Sequence, residues 1–326
     1  MLLANTQAIT SDLAAAAATF QQARAVYHDL GDRAGQADAI NGLGFVHFGT
    51  SRFVSAIACH QQALELFRDL GHRRGQAEAL TGLGEVHSLT GNYPAAAASL
   101  QQALELFRDT GHRLGQVNAL SAMGTVQTLT GDYPAAVTTL RQAMALSRDL
   151  DDRHKQAEIL GELGVVQRLT GDHRSATAMH QEALEKFRDL GDRPSKAYTL
   201  DQLGLAQQLT GDYPAAAASS AEAIELFRDL GSRHDLAMAL NGLGELSLRT
   251  AATRAARYHH GQALAIAREV GAPAEEARAL EGIGRSFLPQ DPAEAATYLR
   301  SALGIYQNIG APDARRVQDA LDGHGL

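Results

Sequence analysis

The chain has 326 residues, is 45% apolar with only 5% aromatics and no Trp, and carries a net charge of -8. An acidic balance of this kind argues against a general binder of nucleic acid or of anionic membranes, which needs a basic excess. The single cysteine, Cys59, excludes an internal disulfide and a cysteine-based zinc site and fits a reducing, cytoplasmic setting.

In chain order, Leu3-Ala4 falls where a repeated Leu-Gly pair is due, and Leu13–Leu30 reads as a complete helix, so residues 1–30 form a partial N-terminal repeat. From residue 31 the sequence repeats every forty residues: "LTGNYPAA" at Leu89, "LTGDYPAA" at Leu129 and Leu209, and "LTGDHRSA" at Leu169. Each block predicts two helices. In the second block Ala77, Leu80, Leu83, Gly84 and His87 share one stripe of a first helix. "TGNYP" ends it: Gly91 takes the left-handed conformation, Asn92 caps the next helix and Pro94 is tolerated in a first turn. The second helix buries Ala96, Leu100, Ala103, Leu104 and Phe107, and Gly111 stops it. Small residues at Gly84, Ala96 and Ala103 allow close helix approach. A lone hairpin cannot bury such a face, whereas stacked hairpins can. Seven units fill residues 31–309, and residues 310–326 offer one last helix whose Asp313, Arg315, Arg316, Gln318 and Asp319 suit a polar cap. The first repeat has no such cap. The expectation is that the chain was cut from a longer protein, or that the first repeat pairs with another copy into a homo-oligomer.

Leu83-Gly84, Gly91, Tyr93, Ala96 and Ala103-Leu104 sit at the mutual spacing of the tetratricopeptide repeat (TPR), which the chain resembles over residues 31–309. With forty residues per unit, it is similar to the TPRs of the Pins-type spindle-orientation scaffolds and to the TPR regions that end many actinobacterial transcription regulators. The resemblance implies an all-α fold, a right-handed α-solenoid of helix-turn-helix units, with the first helices lining a concave groove. Carried onto this chain, the groove positions include Asn41, Phe45 and Phe48; Glu85 and Ser88; Asn118 and Ser121; Glu158 and Arg168; Tyr198, Asp201 and Leu205; and Met238, Asn241, Glu245 and Leu248. They vary between blocks while the packing positions hardly change. Apolar members mark partner sites. Many peptide-binding TPRs clamp their ligand with an Asn just before the Leu-Gly pair. Here that position holds Gly42, Gly82, Ala122, Glu162, Gln202, Gly242 and Gly282, which predicts recognition by side-chain pockets or by helix packing.

The sequence contains no P-loop, no H-E-x-x-H and no G-x-S-x-G, and the "GLG" stretches lie inside helices. No catalytic residue, cofactor or metal is expected. His47 and His87 share a register that Gln127, Gln167 and Gln207 fill later, a slot for inter-helix hydrogen bonding. Arg68-Asp69 with Arg73, and its copies, read as a charged ladder at helix ends that joins repeats. Residues 249–260, "RTAATRAARYHH", lose the Gly-Asp turn and gather Arg249, Arg254 and Arg257, a candidate patch for an anion or acidic partner. The leading expectation is a non-enzymatic protein-interaction module for a peptide, helix or partner domain, without nucleic acid or membrane. The alternatives are the sensory or autoinhibitory TPR region of a bacterial transcription regulator with a nucleotide-binding switch domain, and a self-assembling structural solenoid.

Overall fold

The computed structural model describes residues 13–50 and 52–326. The expected Leu3-Ala4 pair, like the start of the partial repeat, lies outside them. The described residues form sixteen helices and no strand. These are α1 Leu13–Asp29, α2 Arg33–Gly49, α3 Phe53–Asp69, α4 Arg73–Leu89, α5 Tyr93–Asp109, α6 Arg113–Leu129, α7 Tyr133–Asp149 and α8 Arg153–Leu169. They continue as α9 His173–Leu190, α10 Arg193–Thr210, α11 Tyr213–Asp229, α12 Arg233–Arg249, α13 Thr253–Val270, α14 Pro273–Phe287, α15 Pro292–Asn308 and α16 Asp313–Gly323. None is long and apolar enough to cross a membrane. The chain divides into two compact units, Met1–Val166 and Gln167–Leu326.

In unit one, each helix from α1 to α7 packs on the next, and the first helices α2, α4 and α6 also pack on one another in sequence. In unit two the same order runs from α9 to α16, with α12 in contact with both α10 and α14. Among the described residues the second helices show no comparable packing on one another, so in each unit the first helices form the inner face. The alanines of the second helices explain the close approach: Ala56, Ala96, Ala136, Ala176, Ala216 and Ala256 are fully buried, as are Ala63, Ala103, Ala143, Ala183, Ala223 and Ala263. A larger side chain in such a slot overpacks the hairpin. At the C-terminal end Val317 and Leu321 of α16 join the cluster of Leu299 and Tyr306.

The turn after α4 is built as its residues predict. Gly91 has φ +77°, Asn92 Oδ1 accepts the N–H of Ala95 at 3.4 Å, and Thr90 Oγ1 donates to the carbonyl of Val86 at 3.0 Å. Between repeats the link is a glutamine: Gln36, Gln76 and Gln116 donate to the carbonyls of Tyr27, Phe67 and Phe107 at 3.1–3.3 Å, each a second bond to a carbonyl that already accepts the turn's N–H of Asp32, His72 or His112. His72 and His112 serve as N-caps, their Nδ1 atoms accepting the N–H of Gly75 and Gly115 at 3.2 and 3.1 Å. The arginine ladder is wired otherwise than expected. Asp69 pairs with Arg33 and Asp109 with Arg73, at 3.0 and 2.6 Å, so the bridge closes the two ends of one hairpin and does not join neighbouring repeats. These pairs are exposed and contribute roughly 0–1 kcal/mol each.

Residues 249–252 correct a second expectation. The turn survives without its Gly-Asp: Ala251 adopts φ 58°, its N–H bonds to the carbonyl of Leu248 at 3.1 Å, and Ala252 occupies the N-cap with no side-chain bond. A left-handed alanine costs roughly 1–2 kcal/mol, part of which glycine returns as chain entropy, and a missing cap costs about 1 kcal/mol. Ala251→Gly with Ala252→Asp is therefore expected to stabilise unit two by about 1–2 kcal/mol, read as a rise of a few degrees in its thermal midpoint. An unchanged or lower midpoint would contradict the strained-turn account.

Candidate partner-binding faces

On the inner face of unit one, α2 places Asn41, Phe45 and Phe48 on one stripe. Only the phenylalanines face outward from the packing. Phe45 is 39% exposed and stands edge-on to the His60 ring at 4.9 Å, while Phe48 stands edge-on to Phe53 at 6.5 Å. Asn41 is 5% exposed, and its Oδ1 lies 2.7 Å from His60 Nδ1, which donates to it. Its side chain fixes a ring in the core and is not offered to a partner. Further along the face, Glu85 of α4 is partly buried, and burial pushes its carboxyl up to about 7, with Lys155 opposing and Glu158 adding to the rise. Glu162 of α8 accepts from Ser121 Oγ of α6 at 2.6 Å, and burial raises it to about 8. Glu162 holds the clamp position, and its membership of this face was readable only from that register.

In unit two, Tyr198 of α10 is 50% exposed and Leu205, Met238 and Leu248 are partly buried on the same stripes of α10 and α12. Asp201 is buried, accepts from Gln202 Nε2 at 3.3 Å and is raised to about 6, chiefly by burial against the pull of Arg278. Arg168 reaches the Gln202 amide oxygen at 3.5 Å, while its Nε is buried without a partner. Asn241 repeats the Asn41 arrangement: it is fully buried, lies 3.0 Å from His260 Nδ1, and donates to the carbonyl and carboxylate of Glu275 at 3.0 and 2.8 Å. Glu245 is taken by Arg285 at 2.7 and 3.3 Å, with Arg249 at 3.9 Å. The structure thus brings Tyr198, Leu205, Met238 and Leu248 to one inner face and turns Asn41 and Asn241 inward.

The arginine patch does not converge. Arg257 lies over the Phe287 ring at 4.5 Å and reaches Gln290 at 3.4 Å, Arg249 sits beside Glu245, and Arg254 is exposed in the first turn of α13. Among the described residues no group of three or more His, Cys, Asp or Glu side chains could hold a metal ion.

The clamp position has a packing role instead. A Cβ built on Gly42 would lie 2.2 Å from the Phe20 ring, on Gly82 2.4 Å from His60, and on Gly282 2.2 Å from His260. Where the second-helix slot holds Leu100 or Leu140, the corresponding residues are Ala122 and Glu162. At Gly42, Gly82 and Gly282 an aromatic ring in the slot takes the space of a side chain at the clamp, whereas Gln202 shares its register with the His180 slot and Gly242 with Ser220, where a Cβ would meet nothing nearer than 3.9 Å.

Burial lowers the pKa of His60, His180 and His260 to about 4. The folded chain holds these rings neutral and the unfolded chain protonates them near 6.5, so stability is full above about pH 6.5 and falls as the pH drops toward 4. Each ring accounts for a loss on the order of 3 kcal/mol over that window. His180 has both ring nitrogens unpartnered, and its slot holds leucine at Leu100 and Leu140. His180→Leu is expected to flatten the pH dependence of urea unfolding between pH 7.5 and 5. An equally steep profile in the variant would show that this ring is not a source of the acid sensitivity.

An all-α stack of helical hairpins with a variable inner face defines a class, the α-solenoids. Within that class the chain carries tetratricopeptide repeats: the TPR family model matches residues 35–109 and 115–189. Among curated proteins none matches. Solved structures share the fold at low identity. The apo form of RapI is 14% identical with a TM-score of 0.66, covering 84% of this chain and 99% of its own. The Rap conjugation gene regulator of plasmid pLS20 in complex with the Phr* peptide is 17% identical with a TM-score of 0.68, covering 92% of this chain and 78% of its own. The STAND protein PH0952 from Pyrococcus horikoshii, with a tetratricopeptide repeat sensor, is 15% identical with a TM-score of 0.66, covering 92% of this chain but 45% of its own.

Proposed function

We propose that the inner faces of the first helices are non-enzymatic protein-interaction surfaces that take a peptide, a helix or a partner domain. One observation carries this reading: the alanine and Leu-Gly positions barely change from repeat to repeat, whereas the inner stripe changes at every one and leaves Phe45 and Tyr198 39% and 50% exposed. Aromatic side chains held on a rigid helix face are effective anchors. The Phr* peptide complex of the pLS20 regulator supports a peptide as one occupant. The STAND protein's repeat sensor supports a second reading, in which the same face is the sensing region of a larger switch protein.

Site-specific photocrosslinking tests the surface. Benzoylphenylalanine in place of Phe45 or Tyr198 is expected to yield crosslinked partner in extracts of the native organism. In place of Glu105 or Glu185, on the second helices, it is expected to yield none. Equal yields from both sets would overturn the inner-face assignment.

A further inference from the structure

We propose that the inner face of unit one between α4 and α8 receives a cationic side chain, the ammonium or guanidinium group of a lysine- or arginine-bearing partner segment. The proposal rests on the reading of the inner faces as partner-binding surfaces and names the chemistry of one of them. Glu158 on α8 acts electrostatically on both Glu85 of α4 and Glu162 of α8, and Lys155 acts on all three carboxylates. One cation is present there, Lys155, and Glu158 takes it at 2.6 Å. His154 lies 3.6 Å from the same Glu158. Among the described residues Glu162 is hydrogen-bonded by the Ser121 hydroxyl alone. Three carboxylates therefore face one ammonium. The intervening α6 brings Asn118, Ser121 and Thr125, which are uncharged, and beyond them Arg74 is held by Glu78 at 2.8 Å, with Asp38 and His112 flanking that pair.

A second, independent observation points to a ligand that donates hydrogen bonds. Ser88, one turn beyond Glu85 on the same stripe, is 8% exposed, and its Oγ has no partner. Asn118 Oδ1 on α6 is likewise sealed from water and unpartnered. Buried polar atoms are rarely left so; Asn118 Oδ1 can only accept, and the Ser88 hydroxyl can accept as well as donate. Unit two shows the contrast, since Glu245, Glu275 and Glu281 are each met by an arginine: Arg285, Arg278 and Arg316. An entering cation would also favour ionisation of Glu85 and Glu162, which burial holds near 7 and 8, so binding at neutral pH should release protons.

The test uses the full chain and two fluorescein-labelled probes, nona-lysine and nona-glutamate, followed by anisotropy at physiological salt. Nona-lysine is expected to bind and nona-glutamate not to. Glu85→Gln with Glu162→Gln should weaken nona-lysine at least tenfold, whereas Glu65→Gln with Glu105→Gln, the same charge change on the second helices, should alter it less than twofold. Calorimetry of the unmodified chain at pH 7, in buffers of differing ionisation heat, should show proton release. Equal weakening by the two double variants, failure of nona-lysine to bind, or binding without proton release would overturn the proposal. If Glu85→Gln with Glu162→Gln leaves nona-lysine unaffected while Tyr198→Ala with Leu205→Ala still weakens the captured partner, the cationic site falls and the inner-face reading stands.

Discussion

Gly82→Asn, which restores the side chain that peptide-clamping repeats place before the Leu-Gly pair, is expected to destabilise unit one by about 3 kcal/mol. The ring it would meet cannot retreat. His60 is fully buried, its Nδ1 is held 2.7 Å from Asn41, and a Cβ on Gly82 would lie 2.4 Å from its Cε1. On the other side the ring fills the space beside Gly44, where a Cβ would lie 2.5 Å away. For a unit of this size the loss corresponds to a fall of roughly 6–12 °C in the thermal midpoint. Ala122→Asn is the control. The next repeat accepts Glu162 at the equivalent position, facing a leucine slot, and the change is expected to cost less than about 1 kcal/mol. Unchanged unfolding of Gly82→Asn would remove the ring-for-clamp account.

Tyr198→Ala with Leu205→Ala is expected to weaken a captured partner by about thirtyfold, the effect of losing one hot spot worth about 2 kcal/mol. Tyr198 is 50% exposed in the free chain and Leu205 only partly buried. The same pair should therefore shift the unfolding midpoint little, which separates loss of binding from loss of fold. A partner affinity within threefold of the unmodified chain, measured by surface plasmon resonance, would remove the apolar stripe of α10 from the site.

The fold was legible because it is local and repeated. A buried alanine every forty residues at Ala56, Ala96 and Ala136, and a glycine or Asx turn between helices, report the same contact many times over. The site was less legible because its decisive contacts cross between helices. Asn41 and Asn241 lie on the inner stripe by spacing, but only the structure reveals the histidine nineteen residues on that draws each inward. Glu85 and Glu162 belong to different repeats, and the action of Lys155 and Glu158 on both depends on how α4, α6 and α8 stack. The turn at Ala251 misled in the opposite direction. Neighbouring hairpins impose a backbone conformation that alanine disfavours, so a lost motif did not mean a lost turn.

Hydrogen–deuterium exchange of the chain with and without its captured partner tests the central claim most directly. Slowed exchange is expected in the first helices, α2, α4 and α6 of unit one or α10, α12 and α14 of unit two, with α3, α5, α11 and α13 unchanged. Slowing confined to the second helices, with the first helices exchanging as in the free chain, would contradict the inner face as the binding surface.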